Sequence, residues 1–263
     1  MCGAGLLPAL MAAEARRQGW RVVAFAFPGA PDLGTHAAQT IACRLSEMGP
    51  IIGALQAERI SGVALSGKFW IGDLLRAEAP DAAHARMARG AGPLVDANIA
   101  GVIATTLTGL GIELLDQSAF LGRALAAEGC WSARAPSDAE RADIRRGFEI
   151  ARLVASVSIG QTVVLKRGAV SAVEASEGTT DAIRRGTALA GPGAVVVKAV
   201  APSHDFRFDT PVIGLETLEA AAAGHAGAVA VEAARVLVLD REALVRRADE
   251  AGIALVSASV PVA

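Results

Sequence analysis

The chain has no tyrosine, only 4% aromatic residues, three cysteines and four histidines among its 263 residues. Each scarcity removes a class of function. Cys2, Cys43 and Cys130 lie far apart and form no CxxC pair, which argues against both a disulfide framework and a zinc site. So few aromatics offer no platform for stacking bases, and a net charge of −2 offers no field for a phosphate backbone; nucleic acid is not an expected partner. No apolar run reaches the ~20 residues needed to cross a bilayer. The apolar stretch 6–13 lacks the preceding Lys or Arg of a signal peptide and ends in Glu14-Ala-Arg-Arg before Gly19, as an amphipathic helix does. The expectation is a cytoplasmic protein. Also missing are a Gly-x-Ser-x-Gly elbow, a Walker loop and a His-Glu-x-x-His pair,.

What is abundant is aliphatic: hydrophobic residues make up 52% of the chain. Ala, Val, Leu and Ile in short runs suit helices packed on buried parallel strands. The length favours two domains, and the pattern breaks at Trp131–Ser137, so the expected domains are 1–133 and 134–263.

The first half alternates strands with helices, as in an α/β layer fold. Gly3-Ala4-Gly5-Leu6-Leu7-Pro8 reads as a glycine turn opening a helix that ends near Gly19. Such turns follow a strand, and only two residues precede this one. Either the first strand is missing or the turn sits on the sheet in another way. Strands are expected at Arg21–Phe27, Gly62–Ser66 and Ile112–Leu115, and helices near Pro50–Glu58, 72–90, Leu94–Leu107 and Ser118–Glu128. Gly67-Lys68-Phe69-Trp70 stands after a strand, where open α/β sheets bind ligands. A dinucleotide fingerprint fails twice: Pro8 replaces its third glycine, and Phe27-Pro28 stands where an acidic residue is needed,.

In the second half, Ser137 and Glu140 form a capping box, and the helix they open places Ile144, Phe148 and Ala151 on one face. Thr162–Lys166 and Val170–Ala175 form a hairpin around Arg167-Gly168. Strands follow at Ala194–Val200, near 205–209, at Gly227–Val231, Val236–Leu239 and Ile253–Ser257, with a helix from Asp240 to about Ala251. This half reads as α+β.

Three segments carry candidate chemistry. In 205–209, strand alternation would put Asp205, Arg207 and Asp209 on one face and Phe206 and Phe208 on the other. Carboxylates around a guanidinium could hold a divalent metal against a phosphate; a solvated charge ladder on an edge strand fits the same letters. In Glu174-Ala-Ser-Glu177-Gly178-Thr179-Thr180-Asp181, acidic and hydroxyl groups at a glycine turn suit a hydrated metal or phosphate. An N-capped helix with an acidic first turn fits as well. Lys198 interrupts Val195-Val-Val-Lys-Ala-Val and must reach water, a carboxylate or an anionic ligand, because burying it unpaired is expensive.

Together these segments resemble the UDP-2,3-diacylglucosamine pyrophosphatases of the LpxI family. The likeness lies in Gly3-Ala-Gly-Leu-Leu-Pro8, Val173-Glu174-Ala-Ser-Glu177-Gly-Thr, Val-Val-Lys198, Asp205-Phe-Arg207-Phe-Asp209-Thr-Pro211-Val-Ile-Gly214 and Val236-Leu-Val-Leu-Asp240. It is specific from about 137 onward and looser before. Ala201 and His204 stand where the family usually has Lys and Gln. The resemblance implies a Rossmann-like N-terminal domain with its first strand apparently missing, a family-specific C-terminal domain, a ligand cleft between them and a homodimer. The implied reaction is Mg²⁺-dependent (or Mn²⁺-dependent) hydrolysis of UDP-2,3-diacylglucosamine to UMP and 2,3-diacylglucosamine 1-phosphate, a step of lipid A synthesis. Membrane contact would be at most peripheral, through the lipid substrate.

On that reading Asp209 lands on the family's key catalytic aspartate. Asp209 with Asp205 or Glu177 holds the metal, Arg207 or Lys198 neutralises the pyrophosphate, and Glu174 is a base or supports one. Gly3, Gly5 and Lys68, with Gly178, Thr179 and Thr180, meet the substrate. The alternative is a binding paralogue of the same fold that is non-catalytic or differently specific.

Overall fold

A computed structural model describes residues 1–69, 80–91, 96–121 and 124–259. The chain forms two units, Met1–Gly122 with Asp205–Asp209, and Arg123–His204 with Thr210–Ala263. The protein is of mixed α/β class.

In the first unit, helix α1 (Leu7–Arg17) is followed by strands β1 (Val23–Ala26) and β2 (Gln39–Ala42), helix α2 (Met48–Ala57) and strand β3 (Gly62–Val63). Helices α3 (Ala82–Ala91) and α4 (Asp96–Gly109) and strand β4 (Glu113–Leu114) complete it. Both β1–β2 and β3–β4 are parallel pairs. The strand that seemed missing is supplied by the first residues themselves. Cys2 makes parallel bridges to Ala26 on one side and Ser66 on the other. Its amide donates to Phe25 O at 2.8 Å, and Gly3 N donates to Ser66 O at 2.8 Å. The glycine turn thus leaves a strand position after all, with Pro8 in the first turn of α1, where a missing amide costs nothing,. Phe25, Phe27, Ile51, Leu55, Val63, Leu107 and Ile112 form the core. The expected helix over 72–90 is observed only as α3, its first part falling outside the described residues. No strand was expected at β2, whose side chains are mostly exposed and carry no buried alternation.

The helix expected at Ser118–Glu128 does not form. Gln117–Phe120 is a single 3₁₀ turn. Beyond it, Ala126 N donates to Val236 O at 2.8 Å and β5 (Gly129–Cys130) pairs with the sheet of the second unit. Backbone pairing across the fold outcompetes local helix propensity here.

The second unit is built on one six-stranded sheet in the order β5-β12-β10-β8-β6-β7. Its further elements are α5 (Asp138–Ser156), β6 (Thr162–Lys166), β7 (Ala169–Val173), α6 (Thr179–Ala190), β8 (Val195–Lys198), β9 (Val212–Ile213), α7 (Leu215–Ala223), β10 (Ala228–Glu232), β11 (Leu237–Val238), α8 (Arg241–Ala251) and β12 (Ala254–Ala258). Strands β8, β10 and β12 are parallel, while β6 runs antiparallel to β8. The hairpin turns at Arg167-Gly168, both with positive φ (50° and 77°), as a two-residue hairpin loop requires. Val195–Val197 and Ala228–Val231 are buried on both faces. Helix α5 covers one face through Ile144, Phe148 and Ala151. The opposite face is packed by Ile183, Leu218 and Leu244 from α6, α7 and α8.

Helix α6 runs on past Arg184-Arg185 to Ala190. Gly186 lets it lie against the sheet: a methyl there would sit 2.5 Å from Val164 Cβ. The gain in packing outweighs a glycine's low helix propensity. Helix α7, not anticipated, carries the crossover from β9 back to β10.

Candidate functional site

The carboxyl end of β8 presents Lys198, only 6% exposed. Its ammonium donates to Thr179 Oγ1 at 2.8 Å, and that hydroxyl donates to Glu174 Oε1 at 2.7 Å. Three local features converge here. Glu174 follows the last residue of β7, Thr179 opens α6 after Gly178 (φ 83°), and Lys198 ends the neighbouring run of β-branched residues. Gln161 N also donates to Glu174 Oε2 at 3.3 Å. Burial acts to raise the Glu174 carboxyl. The Lys198 charge, the Thr179 hydroxyl and the Gln161 amide outweigh it and hold Glu174 below the usual carboxylate range,. The partner that Lys198 was expected to need is therefore an ionised carboxylate reached through a hydroxyl.

The rest of the acidic turn points elsewhere. Glu177 is exposed and pairs with Arg185, whose guanidinium holds its carboxyl low. Arg185 also donates to Val173 O at 3.0 Å. Thr180 donates to Glu216 Oε1 at 3.1 Å. Of the residues chosen in this motif, Glu174 and Thr179 join Lys198, while Glu177 and Thr180 are engaged by other elements.

Residues 205–209 are a turn and not a strand. Asp205 Oδ1 accepts the Arg207 amide at 3.0 Å, and Phe208 N donates to Asp205 O at 3.2 Å. An Asp that hydrogen-bonds its own backbone two residues on makes an Asx-turn, and this local bond replaces the extended ladder. Asp205 and Arg207 also pair side chain to side chain at 2.6 Å. The three charges therefore do not form one strand face. The segment rests on the first unit through Gln117 N, which donates to Phe206 O at 3.1 Å, and Asp209 is exposed.

In the first unit the structure brings Gly3 and Lys68 together. Ala4 and Lys68 exchange both backbone hydrogen bonds, at 3.0 and 2.8 Å. A Cβ on Gly3 would meet Lys68 O at 2.4 Å, so glycine is dictated by this close approach of the chain to itself,. Gly5 adopts φ 99° just before α1, and the Lys68 side chain is exposed beside this turn. Trp70 lies outside the described residues.

A second charged cluster was missed from the sequence. Glu232, at the end of β10, is 1% exposed. It accepts Arg152 Nη2 at 2.6 Å and Val200 N at 3.0 Å, and Arg235 Nε lies 3.6 Å away. An acidic residue closing the apolar run Ala-Val-Ala-Val is the signal that could have revealed it.

Among the described residues, no group of three or more His, Cys, Asp or Glu is placed to hold a metal ion, and no helix is long and apolar enough to cross a membrane.

The fold and these clusters define a two-unit mixed α/β protein with buried charges at the ends of β8 and β10 and a charged turn at 205–209. Sequence models of the LpxI N-terminal domain and the LpxI C-terminal domain match residues 1–124 and 127–256. The chain belongs to the LpxI family. The match covers the first half as well, where the motif likeness was loose. The chain is also similar to the UDP-2,3-diacylglucosamine pyrophosphatase LpxI of Caulobacter vibrioides, with 37% identity over 152 residues, 54% of each protein. It thus spans about half the length of that relative in the matched region.

Proposed function

We propose that this protein hydrolyses the pyrophosphate bond of UDP-2,3-diacylglucosamine, releasing UMP and 2,3-diacylglucosamine 1-phosphate. Membership of the LpxI family carries the reading. Water adds to one phosphorus, the bridging phosphorus–oxygen bond breaks, and the water's proton passes to a base. Asp209, exposed on a turn fixed by the Asp205 side chain, is the carboxylate assigned to that water. Lys198, held by Thr179, supplies positive charge to the phosphate, and Glu174 keeps Thr179 and Lys198 in place,. The turn at Gly3 and Gly5, at the amino end of α1 and beside Lys68, suits a further phosphate of the nucleotide,. The bridges of Cys2 to both neighbouring strands support reading the first unit as Rossmann-like,.

Asp205 and Glu177 are already engaged by arginines, so with Asp209 they do not form a ready metal cage. Mg²⁺ (or Mn²⁺) fits this reading only as an ion that arrives on the substrate's phosphates with most of its waters retained, where it would neutralise charge. A homodimer in the cytoplasm completes the proposal.

Incubation with UDP-2,3-diacylglucosamine and Mg²⁺, with and without chelator, tests it by release of UMP. Asp209→Ala should keep its fold and substrate binding and lose turnover by about 10²-fold or more. Near wild-type turnover in that variant would refute the assignment of Asp209. Binding without any UMP from the unsubstituted chain would leave a binding protein in place of an enzyme.

A further inference from the structure

Glu232 sits one residue beyond Val231, which is paired with Lys198 in register, so its side chain leaves the sheet on the opposite face,. There it meets Arg152 of α5. What sets this cluster apart is the backbone it holds. Glu232 Oε2 accepts Val200 N at 3.0 Å. Arg235 Nη2 donates to Ala201 O at 2.8 Å and to Pro202 O at 3.2 Å, and its Nη1 reaches Pro202 O at 3.3 Å. Three successive residues after β8 are gripped by two side chains.

The same short segment holds the far end of that loop. Leu237 N donates to Pro211 O at 2.7 Å, and Leu237-Val238 pairs in parallel with Val212-Ile213. Ala234, at φ 59°, makes the tight turn that lets 232–238 reach both ends. Between the two grips lie residues 203–210, and with them Asp205, Arg207 and Asp209.

We infer that Glu232 and Arg235 are positioning residues for the loop that carries Asp209, with Arg152 holding the buried Glu232 carboxylate in place. The chemical half of this inference rests on the proposed pyrophosphatase reading; the mechanical half does not. An ion cluster that only stabilised the sheet would lower global stability when cut and leave the loop's local opening unchanged. A positioning pair should instead free the loop while the sheet stays closed.

The test uses the full chain with Arg235→Ala, Arg235→Lys, Glu232→Gln and, as a control, Glu219→Gln in the surface pair with Arg247. Hydrogen exchange read by mass spectrometry compares peptides over 199–211 with peptides over β6. UMP release from UDP-2,3-diacylglucosamine gives kcat and KM. For Arg235→Ala, exchange in 200–209 should quicken about 10-fold or more with β6 unchanged. Its kcat should fall about 10-fold or more at a KM within about 3-fold of wild type. Arg235→Lys should recover part of both, and Glu219→Gln should change neither. Should Glu232→Gln fail to fold, Arg235→Ala decides alone, because its side chain is 25% exposed. Unchanged loop exchange in Arg235→Ala, or faster exchange with unchanged kcat, overturns the inference. If the unsubstituted chain releases no UMP, the pyrophosphatase reading falls, and the exchange data still decide whether the pair holds the loop.

Discussion

Lys198 and Glu174 provide the sharpest energetic test of the site. Lys198 is nearly fully buried, Glu174 is half-buried, and the Thr179 hydroxyl joins them by bonds of 2.8 and 2.7 Å. Removing one partner of a fully buried ion pair costs about 3–5 kcal/mol. Lys198→Met leaves Glu174 with Thr179 and Gln161 and some access to water, so its cost should fall below that range, at about 2 kcal/mol. Glu174→Gln strands the deeper charge and should cost more, about 3 kcal/mol. Additivity would make the double variant lose about 5 kcal/mol, but a coupled pair should lose only about 2–3. The pH dependence follows from the sign of the Glu174 shift. Its pKa is lowered on folding, so its contribution is present above the ordinary carboxylate range and is lost as pH falls through the folded value,. The penalty of Lys198→Met should shrink over that same interval. Urea unfolding of the four proteins at pH 7 and about pH 3 gives both quantities. A double variant equal to the sum of the singles within about 0.5 kcal/mol would refute the coupling. So would a Lys198→Met penalty that does not change with pH.

Glu140 caps α5, accepts a bidentate pair from Arg134 at 2.8 and 2.9 Å, and has its carboxyl held at about 2 against an ordinary 4.5. That gap corresponds to about 3.4 kcal/mol, and the partial exposure of Arg134 reduces it to about 2. Glu140→Gln should lose that amount at pH 7. The deficit should fade as pH drops below 4.5 toward 2, as measured by urea unfolding,. Gly186→Ala should destabilise despite a helix-propensity gain of about 1 kcal/mol, because the new methyl would sit 2.5 Å from Val164 Cβ,. Thermal unfolding should show a lower Tm, partly restored by adding Val164→Ala; a higher Tm in the single variant would contradict the close packing of α6 on β6.

The elements that could be read from the sequence are those whose signal is local. Ser137 and Glu140 make the capping box with no help from the rest of the chain. Arg167-Gly168 sets the hairpin by turn chemistry, and Val195–Val197 reads as buried because nothing polar interrupts it. Gln39–Ala42 became a strand only because β1 lies beside it, and Leu125-Ala126 left the helical pattern only because Val236-Leu237 offered a partner. Those choices depend on neighbours distant in sequence, which periodicity does not encode.

The site divides along the same line. Lys198 was legible because a charge inside an apolar run needs a partner, although its bridge through Thr179 was not. Asp205–Asp209 misled because alternating charged and aromatic residues look like a two-faced strand. An Asp two residues before an Arg can equally fold back on its own backbone, as Asp205 does toward the Arg207 amide,. Glu232 obeys the same rule as Lys198: a charge closing a run of buried Ala and Val. It looked like an ordinary strand exit because Ala-Ala-Arg follows it. Its partner Arg152 lies 80 residues away, one of four arginines on α5. A charge at the end of a fully buried strand should therefore be treated as partnered until shown otherwise, since desolvation without a partner would cost more than one strand's packing returns. Applied to the parallel run β8, β10 and β12, that rule selects Lys198, proposed to meet the phosphate, and Glu232, proposed to hold the loop of Asp209.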